Sequence, residues 1–99
     1  MPSMNVEILP LAQQDVDQAL VYIAADDPDA AHRLLERIMK KLREVAEQPY
    51  SGEECAVGRR IYRKLYVRPY VLYYRIIHEH ILVMRVLHEK MGSSRFLGG

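Results

Sequence analysis

The chain has 99 residues, of which 49% are hydrophobic and 27% charged, with one cysteine, Cys55, and no tryptophan. That is room for one small domain with one core, and it excludes a two-domain enzyme with a separate cofactor module, a fibrous or disordered chain and an internal disulfide. Apolar runs stop at four or five residues, far below the roughly 18 needed to span a bilayer, and no basic-then-apolar signal opens the chain, so a soluble cytoplasmic protein is expected. The formal net charge of +1 conceals a division at Gly58. Residues 1–58 hold five Lys/Arg against eleven Asp/Glu, a net of −6, and residues 59–99 hold nine against two, a net of +7. Such a split points to an anionic partner for the second half, or to acidic helices lying against a basic sheet.

In chain order, Asn5 to Leu9 places Val6 and Ile8 on one side and reads as a strand. Pro10 ends it and suits the first turn of a helix, where a missing N–H costs nothing. From Leu11 the spacing of Ala12, Val16, Ala19, Leu20 and Ile23 predicts a helix. Asp26-Asp27-Pro28-Asp29 stops it and starts another: Asp27 can cap, Pro28 can take the first position, and Asp29 suits the positive end of the helix dipole. The second stripe, Ala31, Leu34, Leu35, Ile38, Leu42, Val45 and Ala46, runs until Gln48-Pro49, so a helical hairpin over about 11–48 is expected.

Pro49 to Gly58, through Glu53, Glu54 and Cys55, reads as a loop. After it the residues become β-branched and aromatic. Ile61–Val67, Tyr70–Ile77 and Ile81–Leu87 predict three strands joined at Arg68-Pro69 and around His78-Glu79-His80, an antiparallel meander over about 59–88. Residues 89–99 form a tail in which Met91, Phe96 and Leu97 can dock. Helices in one half and strands in the other define an α+β fold, with the hairpin packed on a sheet face, in a single domain over 1–99.

Several chemistries lack their residues. No Gly-rich phosphate loop or nucleophile elbow is present. Glu53 and Glu54 beside Cys55 disfavour a thiolate, and His78 and His80 have no convincing third metal ligand. No cofactor and no metal are therefore expected. What remains is a dense mixture of Tyr62, Tyr66, Tyr70, Tyr73 and Tyr74 with Arg59, Arg60, Arg63, Lys64, Arg68 and Arg75. Phosphates want cations and unpaired bases want stacking platforms, so RNA is one reading. A protein interface, also rich in Tyr and Arg, is another, and a plain strand-forming surface is a third. Arg75 and Arg85 each sit alone in an apolar strand, and a guanidinium there needs either an acid from the helices or a bound partner.

The order of these elements resembles the ParE toxins of bacterial type II toxin–antitoxin systems, within the RelE/ParE superfamily. The resemblance lies in Leu9-Pro10-Leu11-Ala12, the Asp15-Val16 helix start, Tyr22-Ile23-Ala24 before Asp27-Pro28, and Ala30-Ala31. It continues in Pro49-Tyr50-Ser51-Gly52, in Tyr73-Tyr74-Arg75 and in Arg85-Val86-Leu87-His88-Glu89-Lys90-Met91. It implies a β-α-α-β-β-β fold, a ParD-like antitoxin joined in a hetero-oligomer, and poisoning of DNA gyrase. Arg63, Tyr74, Arg75, Arg85, His88, Lys90, Met91, Arg95 and Phe96 are then the expected partner-binding residues.

The RelE-like branch instead cleaves mRNA on the ribosome, where cations orient the phosphate and another group moves the 2′-hydroxyl proton. Arg63, Arg85 and His88 would be the catalytic residues of that alternative. Leu65 and Val71 stand where further bases would be expected, Phe96 lies near the position of a missing C-terminal tyrosine, and His88-Glu89 replaces the His-Tyr of YoeB-like relatives. An incomplete catalytic set favours a toxin that binds rather than cleaves. A third reading is a homologue that only binds its antitoxin.

Overall fold

The computed structural model describes residues 3–92 and Leu97. Strand β1 (Asn5–Ile8) leads into helix α1 (Pro10–Ala24) and helix α2 (Pro28–Glu47). Strands β2 (Glu53–Val57), β3 (Arg60–Val67), β4 (Tyr70–Ile77) and β5 (His80–His88) follow. The sheet order is β1-β5-β4-β3-β2; β1 runs parallel to β5, and every other pair is antiparallel.

Local chemistry explains most boundaries. Asp27 caps α2, its carboxylate accepting the Ala30 N–H at 3.1 Å, with Pro28 in the first turn and Asp29 behind it. Pro10 opens α1, where Leu9 offers no side-chain cap. His78 (φ 49°) and Glu79 (φ 64°) form a two-residue turn between β4 and β5, with the two left-handed residues that such hairpins require. Gly58 (φ 63°) supplies the same freedom between β2 and β3.

The loop expected over residues 53–57 is a strand. Glu-Glu-Cys-Ala-Val has little intrinsic strand preference, but the Gly58-Arg59 turn folds it back on β3, from Glu53 opposite Lys64 to Val57 opposite Arg60. Ladder bonds along one side are enough for an edge strand. The remaining elements fall where the helical and alternating patterns place them, giving an α+β fold with the hairpin on one face.

Alternation along the strands divides the core in two. Under the helices, Ala12, Val16, Leu34, Ile38, Leu42 and Val45 meet Val67, Leu72, Tyr74, Ile81, Val83 and Val86. On the opposite face Val57, Tyr62, Val71, Tyr73 and Leu87 form a smaller cluster, and Leu97 packs onto it. β5 carries one extra residue at Met84, since Tyr74 faces Val83 while Tyr73 faces Arg85. No helix of the described residues is long and apolar enough to cross a membrane.

Candidate functional site: an arginine-rich sheet and its turns

The sheet arginines are not equivalent. Arg85 follows the bulge in β5, beyond Val83, the last residue paired with β1. Its Nε and Nη2 donate to the two carboxylate oxygens of Asp15 on α1, at 2.8 and 2.9 Å. Asp15 also accepts the Val86 backbone N–H at 3.0 Å, so the carboxylate satisfies a strand edge where β1 has ended. The pair is largely enclosed, with side chains 16% and 12% exposed. Hydrogen bonding to Asp15 raises the Arg85 pKa further, against the opposing effect of burial.

Arg63 and Tyr74, directly opposite on β3 and β4, hold the turn after α2. The fully buried Tyr74 hydroxyl donates to the Pro49 carbonyl at 2.6 Å and accepts the Gly52 N–H at 3.0 Å. Burial pushes its pKa up, while the Gly52 N–H and the Arg63 charge pull the other way. Arg63 Nη1 donates to the carbonyls of Gly52 (2.7 Å) and Tyr50 (3.2 Å), and Nη2 donates to Glu54 at 3.2 Å. Its guanidinium also lies 5.1 Å from the centre of the Tyr50 ring. A Cβ on Gly52 would stand 2.6 Å from the Tyr74 hydroxyl oxygen, so the close approach requires glycine.

At the opposite end of β3 and β4, His88 meets the Tyr70 ring edge-on at 5.5 Å, and its Nδ1 accepts the Lys90 N–H at 3.2 Å. Burial, and secondarily Tyr22, raise the Tyr70 pKa. Arg68 pairs with Glu89, and its carbonyl accepts Arg37 Nη2 at 2.8 Å. Tyr66 is flanked by Arg68 at 4.6 Å and Lys64 at 5.8 Å from its ring centre, and a hydrogen bond with Tyr66 raises the Lys64 pKa. Lys90 and Met91 are exposed after β5, while Arg95 and Phe96 lie outside the described residues.

Of the two isolated arginines, then, Arg85 has an acid from a helix. Arg75 has no ion pair within 4 Å among the described residues and rests 5.8 Å from the Tyr62 ring centre. Sequence reasoning did not single out Asp15 as the partner, although it marked that residue as a helix-start landmark. It also left Tyr62 without a specific task, yet Tyr62 is buried and donates to the Leu97 carbonyl at 3.1 Å. No group of three or more His, Cys, Asp or Glu among the described residues could hold a metal ion.

The fold is a mixed sheet carrying a helical hairpin on one face, with a cationic, tyrosine-rich second half. Residues 6–92 match the family described as the ParE toxin of the type II toxin–antitoxin system parDE, and the chain belongs to that family. It is 34% identical over 77 residues to Y4kP of Sinorhizobium fredii (strain NBRC 101917 / NGR234), which bears a toxin's name, covering 78% of this chain and 79% of that one. It is likewise 34% identical over 70 residues to toxin ParE1 of Mycobacterium tuberculosis (strain ATCC 25618 / H37Rv), covering 70% and 71% respectively. The fold is similar to a chain of a structure titled as the chromosomal ParDE system from P. aeruginosa, with a TM-score of 0.75 at 16% identity, covering 89% of this chain and 98% of that one.

Proposed function

We propose that this ParE-type toxin acts by binding and poisoning DNA gyrase in the cytoplasm, with its 99 residues working as one toxin domain silenced by a ParD-like antitoxin in a hetero-oligomer. The observation that carries the non-hydrolytic reading is the state of the three side chains an RNase would use. Arg63 is committed to the turn at Tyr50–Gly52, Arg85 to Asp15, and His88 to Tyr70 and the Lys90 N–H. A cation already bonded to a carboxylate is poorly placed to stabilise a developing phosphorane charge.

Antitoxin capture has a physical basis on the hairpin side. Leu35 and Met39 are exposed on α2 in a groove of about 580 Å³ edged by four cations, Arg33, Arg37, Lys40 and Arg43, and one acid, Glu36. A second groove, about 530 Å³, shares Met39 and Arg43 with it and runs between α2 and the edge strand β1. An acidic segment can lay a helix on the first and add a strand at the second. The decisive measurement is a supercoiling assay with purified gyrase. Inhibition by the isolated toxin, relieved by the antitoxin, is expected; folded toxin in large molar excess with no inhibition refutes the reading.

The Lys64–Tyr66–Arg68 stack favours one alternative, a RelE-like action on mRNA in the ribosome, because it pairs a stacking platform with two cations. Primer extension on translated mRNA would then show toxin-dependent cleavage.

A further inference from the structure

The two sides of β3 hold different arginines. Its residues alternate, so Arg60, Tyr62, Lys64 and Tyr66 point one way and Ile61, Arg63, Leu65 and Val67 the other. Tyr62 belongs to the smaller cluster and Val67 to the core under the helices, which puts Arg60 on the sheet face away from the hairpin. A recess of about 400 Å³ lies there. It is lined by Leu9, Pro10 and Leu11 where β1 passes into α1, by Tyr62 and Met84 of the sheet, and by Leu97. Leu11 is 56% exposed, so the recess opens to solvent along an apolar wall.

Two arginines also line the recess, and they differ in what they have left to offer. Arg85 is bonded to Asp15, whereas Arg60 forms no ion pair within 4 Å among the described residues. The Tyr62 hydroxyl is spent on the Leu97 carbonyl, and Arg75 lies 5.8 Å from the Tyr62 ring centre. What remains for a ligand is apolar surface with one cation. Burial of an apolar side chain supplies affinity at such a place, and a single guanidinium suits a single carboxylate. A nucleic acid would need a row of cations and open aromatic rings, but Tyr62 and Tyr73, at 1% and 7% exposure, have no ring face free for a base.

We infer that this recess takes one aliphatic or aromatic side chain of the toxin's protein target, with Arg60 meeting a carboxylate beside it. The inference rests on the reading of the chain as a toxin that acts by binding, and it places target contact away from the grooves offered to the antitoxin. Leu97 then has a second task. Besides closing the smaller cluster it completes the recess, so this part of the C-terminal tail belongs to the binding surface. A side chain inserted among Leu11, Met84 and Leu97 is the kind of buried anchor on which interface energy concentrates.

The test compares the intact toxin with Leu11→Asp, with Arg60→Glu and with a control, Arg59→Glu, which reverses an exposed cation outside the recess. An acid at position 11 falls in the first turn of α1, where the helix dipole favours it, and Leu11→Ser repeats the test should the aspartate lower the melting temperature. The readouts are growth arrest on expression without antitoxin, inhibition of purified gyrase, and binding to the cognate antitoxin. Leu11→Asp is expected to need about tenfold more protein for inhibition and Arg60→Glu about fivefold, both with weakened growth arrest. Antitoxin affinity in both, and the toxicity of Arg59→Glu, should stay within about twofold of the parent. Leu11 variants as toxic as the parent overturn the inference, and if Arg60→Glu alone then abolishes activity the partner is a polyanion such as nucleic acid. Equal damage from Arg59→Glu and Arg60→Glu would trace the effect to overall charge, and a parallel loss of antitoxin binding would assign the recess to the antitoxin; either result sinks the inference. Should the parent arrest growth without inhibiting gyrase, only the choice of gyrase is lost, and growth arrest in the variants still decides the recess. A parent that does not arrest growth removes both.

Discussion

The two faces of the sheet are closed by unequal means. One lies under two helices of 15 and 20 residues, which bury Val45 and Ala12 completely against Tyr74, Ile81 and Val83. The other is a smaller cluster capped by Leu97, itself 6% exposed and tied to the sheet by one hydrogen bond from Tyr62. Stability should therefore be concentrated on the hairpin face, which leaves the opposite face and the sheet ends free to vary with function.

That asymmetry can be broken at its strong side first. Ile38→Ala removes a buried branched side chain between α2 and the sheet and should cost about 4 kcal/mol by chemical denaturation. A loss under about 1 kcal/mol would mean that the hairpin does not carry the fold. Next comes Arg85→Ala, at about 3 kcal/mol, because Asp15 keeps its burial and the Val86 N–H but loses its counter-charge. If Arg85→Ala melts with the parent, the link between α1 and β5 is only decorative.

Tyr74→Phe should cost about 2 kcal/mol, since the Pro49 carbonyl and the Gly52 N–H lose their shared partner. It also carries a pH signature. The Tyr74 pKa is raised above 10.0 by burial, so the folded state retains its proton after the unfolded chain has begun to release it. Its contribution is complete below about pH 10 and declines as pH rises through the folded pKa. Parent stability should fall more steeply than that of Tyr74→Phe above pH 10, and identical slopes would exclude this linkage. The smallest effect, below about 2 kcal/mol, is expected for Leu97→Ala on the weakly closed face. A loss exceeding that of Ile38→Ala would invert the comparison.

Much of this architecture is legible in the residues. The long stripe of α2, the Asp27-Pro28 start and the three apolar strands carry strong periodic signals, and they lie where those signals place them. β2 was not legible, because two glutamates, a cysteine and an alanine take strand form only through the neighbour they pair with. Arg75 and Arg85 read identically in sequence; only the fold reveals that Asp15, 70 residues away, reaches one of them. Tyr74 and Arg63 illustrate the same limit. Their residue types suggest recognition, whereas their bonds to the turn at Pro49–Gly52 depend on where α2 delivers that turn over the sheet.

The pairing of β1 with β5 sets Asn5 beside His80, 75 residues along the chain. During synthesis the first strand therefore waits until residues 80–83 have left the ribosome before the sheet can close. Pairings of such sequence separation fold slowly because the intervening loop must first be ordered. A chain that stops short of β5 can thus pair β2, β3 and β4 with one another, while β1 has no strand to join.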